Sequence, residues 1–252
     1  MSHFQLPRSR YVATVPAPFF QVYPTDHVPQ AMGENEVVAT GTVPEDVWQV
    51  GGVYPFPSAA GVVSLVSDSG EDAVGGTGAS TVWVVGLDAD WKIIYEEVTM
   101  TGITPALTTL EFLRVNIIYG GDVGSNEVNV GNITGQIAAT TVCYIQAEFG
   151  AELRAVWSVP EGLTLEIPQI ISSVTESTGN SHAEVVLQVR PFGQSWQTGF
   201  MTSVVNRQNG ANFPFVTPVY APPKSDVRLR VLSVSATMHI DGGFAGIMYN
   251  EI

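Results

Sequence analysis

Few residues in this chain combine the types and spacing that do chemistry. Asp88 and Asp90 in the tetrad Asp88–Ala89–Asp90–Trp91 have the alternating acid spacing of a calcium loop. A complete loop needs further oxygen ligands and a bidentate Glu at its twelfth position, where this chain has Thr99. The flanking runs VWVVGL and KIIYEEVTM alternate well enough to pair. The tetrad is therefore expected to be a hairpin connection whose Asp side chains bond nearby backbone N–H groups. Glu96 and Glu97 are neighbours in the second run, so they face opposite sides of a strand and cannot work as an acid–base pair. His239–Ile240–Asp241 puts an imidazole and a carboxylate on one strand face, two ligands of a zinc site without a third, and reads as a polar strand pair at a turn.

Cys143 lies in the apolar run TTVCYIQ, which predicts a buried structural thiol. A single cysteine permits no disulfide within the chain. Gly75–Gly76–Thr77–Gly78 leads into a strand-like run and not into a helix N-terminus, so it is not built to cradle phosphate. Asn132–Ile133–Thr134 matches a glycosylation acceptor, but the first residues lack the apolar segment of a secretory leader. Nucleophile-elbow, P-loop and dinucleotide fingerprints are missing from the sequence. The expectation is a non-enzymatic chain without catalytic residues, cofactor or metal.

Composition narrows the partners. Charged residues make up 13% of the chain, about half the usual share, while apolar residues make up 45%. Such a chain must cover its surface with small polar residues or with partners, which suits an obligate assembly. The net charge of −14 repels phosphate backbones, so nucleic acid is not an expected partner. No apolar run is long enough for a spanning helix, so no membrane is expected either.

The elements that must position these residues read as strands throughout. Residues 1–36 hold Pro7, Pro16, Pro18, Pro24 and Pro29 among Phe4, Tyr11, Phe19, Phe20 and Tyr23, the pattern of an extended arm. From Val37 onward, short runs rich in Val, Ile, Thr and aromatics alternate with Gly, Asn, Asp and Pro clusters. That spacing predicts an all-β chain of two jelly-roll-like antiparallel sandwiches, at 37–147 and 148–252. Alternation over Glu184–Arg190 and Asp226–Val231 predicts half-buried antiparallel strands. Trp91 at the turn tip and Trp196 in GQSWQTG are the tryptophans expected to be exposed, where they would stack on sugars.

Gly76–Ala79, Gly86–Ala89, Glu97–Thr99, Phe112–Asn116 and Asn129–Ile133 together resemble a module of virion structural proteins of tailed bacteriophages. The stretch VPEG…AEVVLQVRPFG…PPKSDVRLR is similar to the second half of such proteins. The resemblance covers about residues 48–250. It implies a capsid decoration or cement protein, a trimer on the outer capsid surface that bridges major capsid protein subunits. A tail, baseplate or vertex component that binds a host receptor or carbohydrate is the alternative. On this reading Phe4, Tyr11, Phe19, Phe20, Tyr23 and Arg190 are the expected interface residues, since aromatics and Arg are enriched at interface cores.

Overall fold

The computed structural model describes residues 30–41, 44–175, 181–205 and 211–250. None of these residues is helical, and no helix is long and apolar enough to cross a membrane. The arm aromatics Phe4, Tyr11, Phe19, Phe20 and Tyr23 lie outside the described residues.

Sixteen strands follow in order. They are β1 (Gln30–Val38), β2 (Glu45–Asp46), β3 (Gly61–Ser67), β4 (Thr81–Leu87), β5 (Ile93–Thr99), β6 (Ala106–Phe112), β7 (Arg114–Gly120) and β8 (Ile133–Ile137). Then come β9 (Thr140–Ile145), β10 (Val156–Ser158), β11 (Leu163–Thr175), β12 (His182–Arg190), β13 (Gln197–Val205), β14 (Ala211–Ala221), β15 (Asp226–Val234) and β16 (Met238–Asn250). All named pairings are antiparallel.

Four sheets form two sandwich-like units. One unit faces the sheet β6-β3-β8-β9 against β5-β4-β7. Val63, Leu65, Val82, Val84, Phe112, Ile118, Ile133 and Ile145 fill its core. The other faces β1-β16-β11-β14 against β10-β15-β12-β13, which β2 joins through β15. Leu165, Ile167, Ile170, Ile240 and Phe244 meet Val185, Leu187, Leu229 and Val231 there. Most strands give alternate residues to the cores, as two facing pleated sheets require, while β9 gives the neighbours Val142 and Cys143 and β7 gives Val115 and Ile118 across register shifts.

The chain order departs from two consecutive sandwiches. The expected boundary at 36/37 falls inside β1, which pairs with β16 from Gln30↔Ala245 to Val38↔Met238. β2 pairs with β15. The first two described strands thus complete the sandwich formed by β10–β16, and β3–β9 form an insertion between β2 and β10. The physical reason is edge satisfaction: β16 would otherwise present an unpaired edge, and β1 supplies the missing N–H and C=O partners. β1 carries an irregularity between Asn35 and Val38, so Glu36 and Val37 are both exposed while Asn35 turns inward. Asn35 Nδ2 donates to Glu45 Oε2 at 3.0 Å, tying β1 to β2.

The Gly-rich stretch and the Asn129–Ile133 turn meet on one buried carboxylate. Asp72 Oδ1 accepts from the N–H groups of Ala79 and Val130, and Oδ2 from Gly131 N–H, each at 2.8 Å. Ser67 Oγ donates to Oδ2 at 2.6 Å. A Cβ at Gly78 would lie 2.1 Å from Asp72 Oδ1, which is why a glycine stands there. Asp72→Ala strands three N–H groups in the interior and is expected to cost about 3 kcal/mol or more. Urea unfolding of the variant against the native chain measures it.

Candidate functional site

The two sandwiches meet on the outer face of β15 and β12, where the sequence pattern predicts exposed charge. In β15, Val227, Leu229 and Val231 enter the core and Asp226, Arg228 and Arg230 point the other way. That second face is covered by Arg114 of the insertion at Asp226, and by Asp46 of β2 and Trp196 at Arg228 and Arg230. Five of the ten Lys and Arg residues lie in or beside this junction: Arg114, Arg154, Arg190, Arg228 and Arg230.

Two buried carboxylates organise four of these bases. Asp226 Oδ1 accepts from Arg114 Nε at 2.8 Å and from Ser158 Oγ at 2.6 Å. Asp226 Oδ2 accepts from Arg114 Nη2 at 3.1 Å and from Arg190 Nη2 at 2.6 Å. Arg114 belongs to the inserted sandwich and Asp226 and Arg190 to the other, so one carboxylate joins the two. Asp46 sits between Arg230 Nε at 2.8 Å and Arg228 Nη1 at 3.6 Å, and accepts Tyr54 N–H at 2.8 Å. Burial raises the Asp46 carboxyl, opposed by Arg228 and Arg230. Burial lowers Arg228 to about 10, opposed by Asp46.

Aromatic rings separate the guanidinium groups. Arg114 lies over Trp91 at 4.9 Å and Phe56 at 5.8 Å, Arg190 over Phe56 at 4.9 Å and Trp196 at 4.7 Å, and Arg228 over Trp196 at 3.8 Å. Phe56 and Trp196 thus interleave three like charges, each contact contributing roughly 0.5–2 kcal/mol when desolvated. Phe56 (φ 43°) and Trp91 (φ 64°) both hold left-handed backbone conformations that aromatic residues rarely adopt. Their strain is borne where the rings are needed.

A second buried group lies beside this one. Arg154 donates to the carbonyls of Val142 and, at 2.6 Å, Val115, pairs with Glu152 at 3.3 Å and stacks on Tyr54 at 4.6 Å. Burial pushes the Glu152 carboxyl up to about 7, opposed by Arg154.

The other expected sites resolve separately. Asp88 Oδ1 accepts the N–H groups of Asp90 and Lys92, both at 2.9 Å, so the acidic tetrad is a hairpin connection between β4 and β5. Glu96 accepts from Thr109 and Leu110 N–H, and Glu97 from Thr81 Oγ1 at 2.8 Å, each on its own side of the strand. Cys143 is buried, and burial pushes its thiol well up, away from nucleophilic character. Trp91 is buried and not exposed, because Arg114 and Phe192 pack on it, and Trp196 is half-buried against two guanidinium groups. Neither forms the free sugar-stacking platform expected from their loops. Arg190 is engaged within the chain, with 30% of its side chain exposed. His239 and Asp241 do share a face, and β1 brings Glu34 against them. The sequence carries no signal for that third acid, because it depends on β1 pairing with a strand some two hundred residues later.

Comparison with known proteins adds little. No family model matches the sequence, and no curated protein matches it. Among solved structures, a chain from "Structure of infectious bursal disease virus Gt strain" is similar over 94% of this chain and 73% of that chain, at 9% identity and a TM-score of 0.26.

Asp226→Ala leaves Arg114 buried without its carboxylate and is expected to cost about 3–5 kcal/mol, read from chemical unfolding. Glu152 gives a pH signature. Its native carboxyl binds a proton up to about 7, above its ordinary 4.5, so the folded chain holds more protons than the unfolded one between those values. The resulting loss of stability begins near pH 4.5, grows as pH rises and is complete above 7. Glu152→Gln is expected to reduce the fall in unfolding midpoint between pH 5 and pH 8.

Proposed function

We propose that this chain is a non-enzymatic structural component of a virus particle, a capsid decoration or cement protein. It binds the outer shell as a trimer and bridges subunits of the major capsid protein. The observation that carries this reading is the outer face of the sheet β1-β16-β11-β14. Met32, Ile171, Val216, Tyr220, Ile247 and Tyr249 are all exposed on it. They come from all four strands of that sheet, and they include the edge strand β14, whose Pro214 and Pro218 cannot donate to a further ladder. Apolar and tyrosyl side chains gathered on one face suit contact with a protein surface and not with solvent.

Four of the acids serve the fold. Asp72, Asp88, Asp226 and Glu96 are occupied by N–H, O–H or guanidinium donors. The resemblance of the turn motifs to phage virion modules supports the particle location. The arm aromatics Phe4, Tyr11, Phe19, Phe20 and Tyr23 add anchoring contacts to neighbouring shell subunits. The mechanism is linkage: contacts made only in the assembled shell stabilise that shell.

The decisive experiment counts copies per purified particle against the major shell protein. One copy to one or a few shell subunits is expected, and a trimer in solution by native mass. A handful of copies per particle would move the protein to a tail or vertex and overturn the decoration role. Removing residues 1–29, ahead of β1, is expected to keep the unfolding midpoint and abolish shell binding. Val216→Asp with Tyr220→Asp is expected to weaken shell binding at least tenfold.

A further inference from the structure

Glu34 and Asp241 sit directly opposite one another in the β1–β16 ladder, and His239 lies two residues before Asp241 on the same face. Directly opposed residues bring their side chains within reach, so this pairing sets two carboxylates against each other. What they share is one imidazole nitrogen. His239 Nε2 lies 2.8 Å from Asp241 Oδ1 and 3.5 Å from Glu34 Oε1. One oxygen from each acid and one nitrogen from the imidazole all fall within 4.8 Å of one another.

We propose that Glu34, His239 and Asp241 form a binding site for a divalent transition-metal ion of the zinc class. Ligand atoms bound about 2.0–2.2 Å from zinc at tetrahedral angles lie roughly 3.3–3.6 Å apart. The Glu34–imidazole separation of 3.5 Å falls within that spacing, and the 2.8 Å Asp241–imidazole hydrogen bond must lengthen by about half an ångström to reach it. One nitrogen and two carboxylate oxygens favour a borderline ion over calcium or magnesium, which take all-oxygen shells of higher coordination number. Three protein ligands leave a position for water or for a group from a partner.

The surroundings fit the role. Ser173 Oγ on β11 donates to Asp241 Oδ2 at 3.1 Å, leaving Oδ1 toward the imidazole, the outer-shell support that orients a ligating carboxylate. The irregularity of β1 between Asn35 and Val38 lies opposite His239 and interrupts the ladder there. Glu34 is only 13% exposed at its side chain, against 35% for His239 and 46% for Asp241, so the site opens to solvent from one side. Other acids on this chain behave differently: Asp68, Asp72 and Asp88 are met by backbone N–H donors. Glu34 and Asp241 instead converge on the imidazole of His239. Bound there, the ion cross-links the edge strand β1 to β16.

The test titrates the full chain with zinc ion alone, competed against a chromophoric chelator, and follows the thermal midpoint. One zinc per chain and a midpoint that rises with zinc are expected. His239→Ala and Glu34→Gln are each expected to weaken binding at least tenfold. Cobalt(II) used as a spectroscopic substitute is expected to give a visible absorption band that both variants lose. Should His239→Ala fail to fold, Glu34→Gln and Asp241→Asn read the same loss with shape retained. No stoichiometric zinc binding would overturn the proposal. So would equal affinity in the variants, which would place the ion at other histidines, or an equal midpoint shift with magnesium or calcium.

Discussion

The structure turns on the Asp226 carboxylate. It is 2% exposed and receives two guanidinium groups and a hydroxyl. A buried carboxylate is costly alone, and Arg114 and Arg190 make it tolerable only by arriving from different parts of the chain. Arg114 comes from the first strand residue after the turn at Leu113, while Arg190 ends β12 beside Asp226 itself in the ladder. The relative placement of the two sandwiches is therefore held by charge geometry, which tolerates less error than apolar contact. Asn116 and Ser158 repeat the link next to it with reciprocal hydrogen bonds of 2.9 Å.

This constraint explains the unusual use of charge. A chain with 13% charged residues places half of its bases in one internal junction. Like-charged guanidinium groups can stand that close because Phe56 and Trp196 fill the gaps with the negative faces of their rings. Asp46 and Asp226 then neutralise the pairs from either side. The sheet that carries β1 gathers exposed apolar residues on its outer face, beside Glu34, His239 and Asp241.

Insertion gives the arrangement its topology. Because β1 and β2 belong with β10–β16, the inserted sandwich is anchored at both ends within a few residues of the junction. Trp48 bridges to Arg154 there, joining the chain entering the insertion to the chain leaving it. Opening the junction must disturb both connections together. The same topology brings Glu34 to His239 and Asp241.

The sequence by itself determined the strand content, the hairpin at Asp88–Trp91, the opposed faces of Glu96 and Glu97 and the burial of Cys143, because each follows from local alternation, turn chemistry or an apolar run. Alternation also placed β12 and β15 as strands with one core face. It did not show that their second face is covered, since an alternating Arg reads the same beside water as beside a buried Asp. Nor did it show that Trp91 is inside, because turn position implies exposure until another element packs on the turn. The membership of β1, the inserted order of the sandwiches and the meeting of Glu34 with His239 were decided only by tertiary structure. Each rests on a ladder between residues far apart in the chain, and period-two alternation says which face a residue takes but not which strand lies beside it.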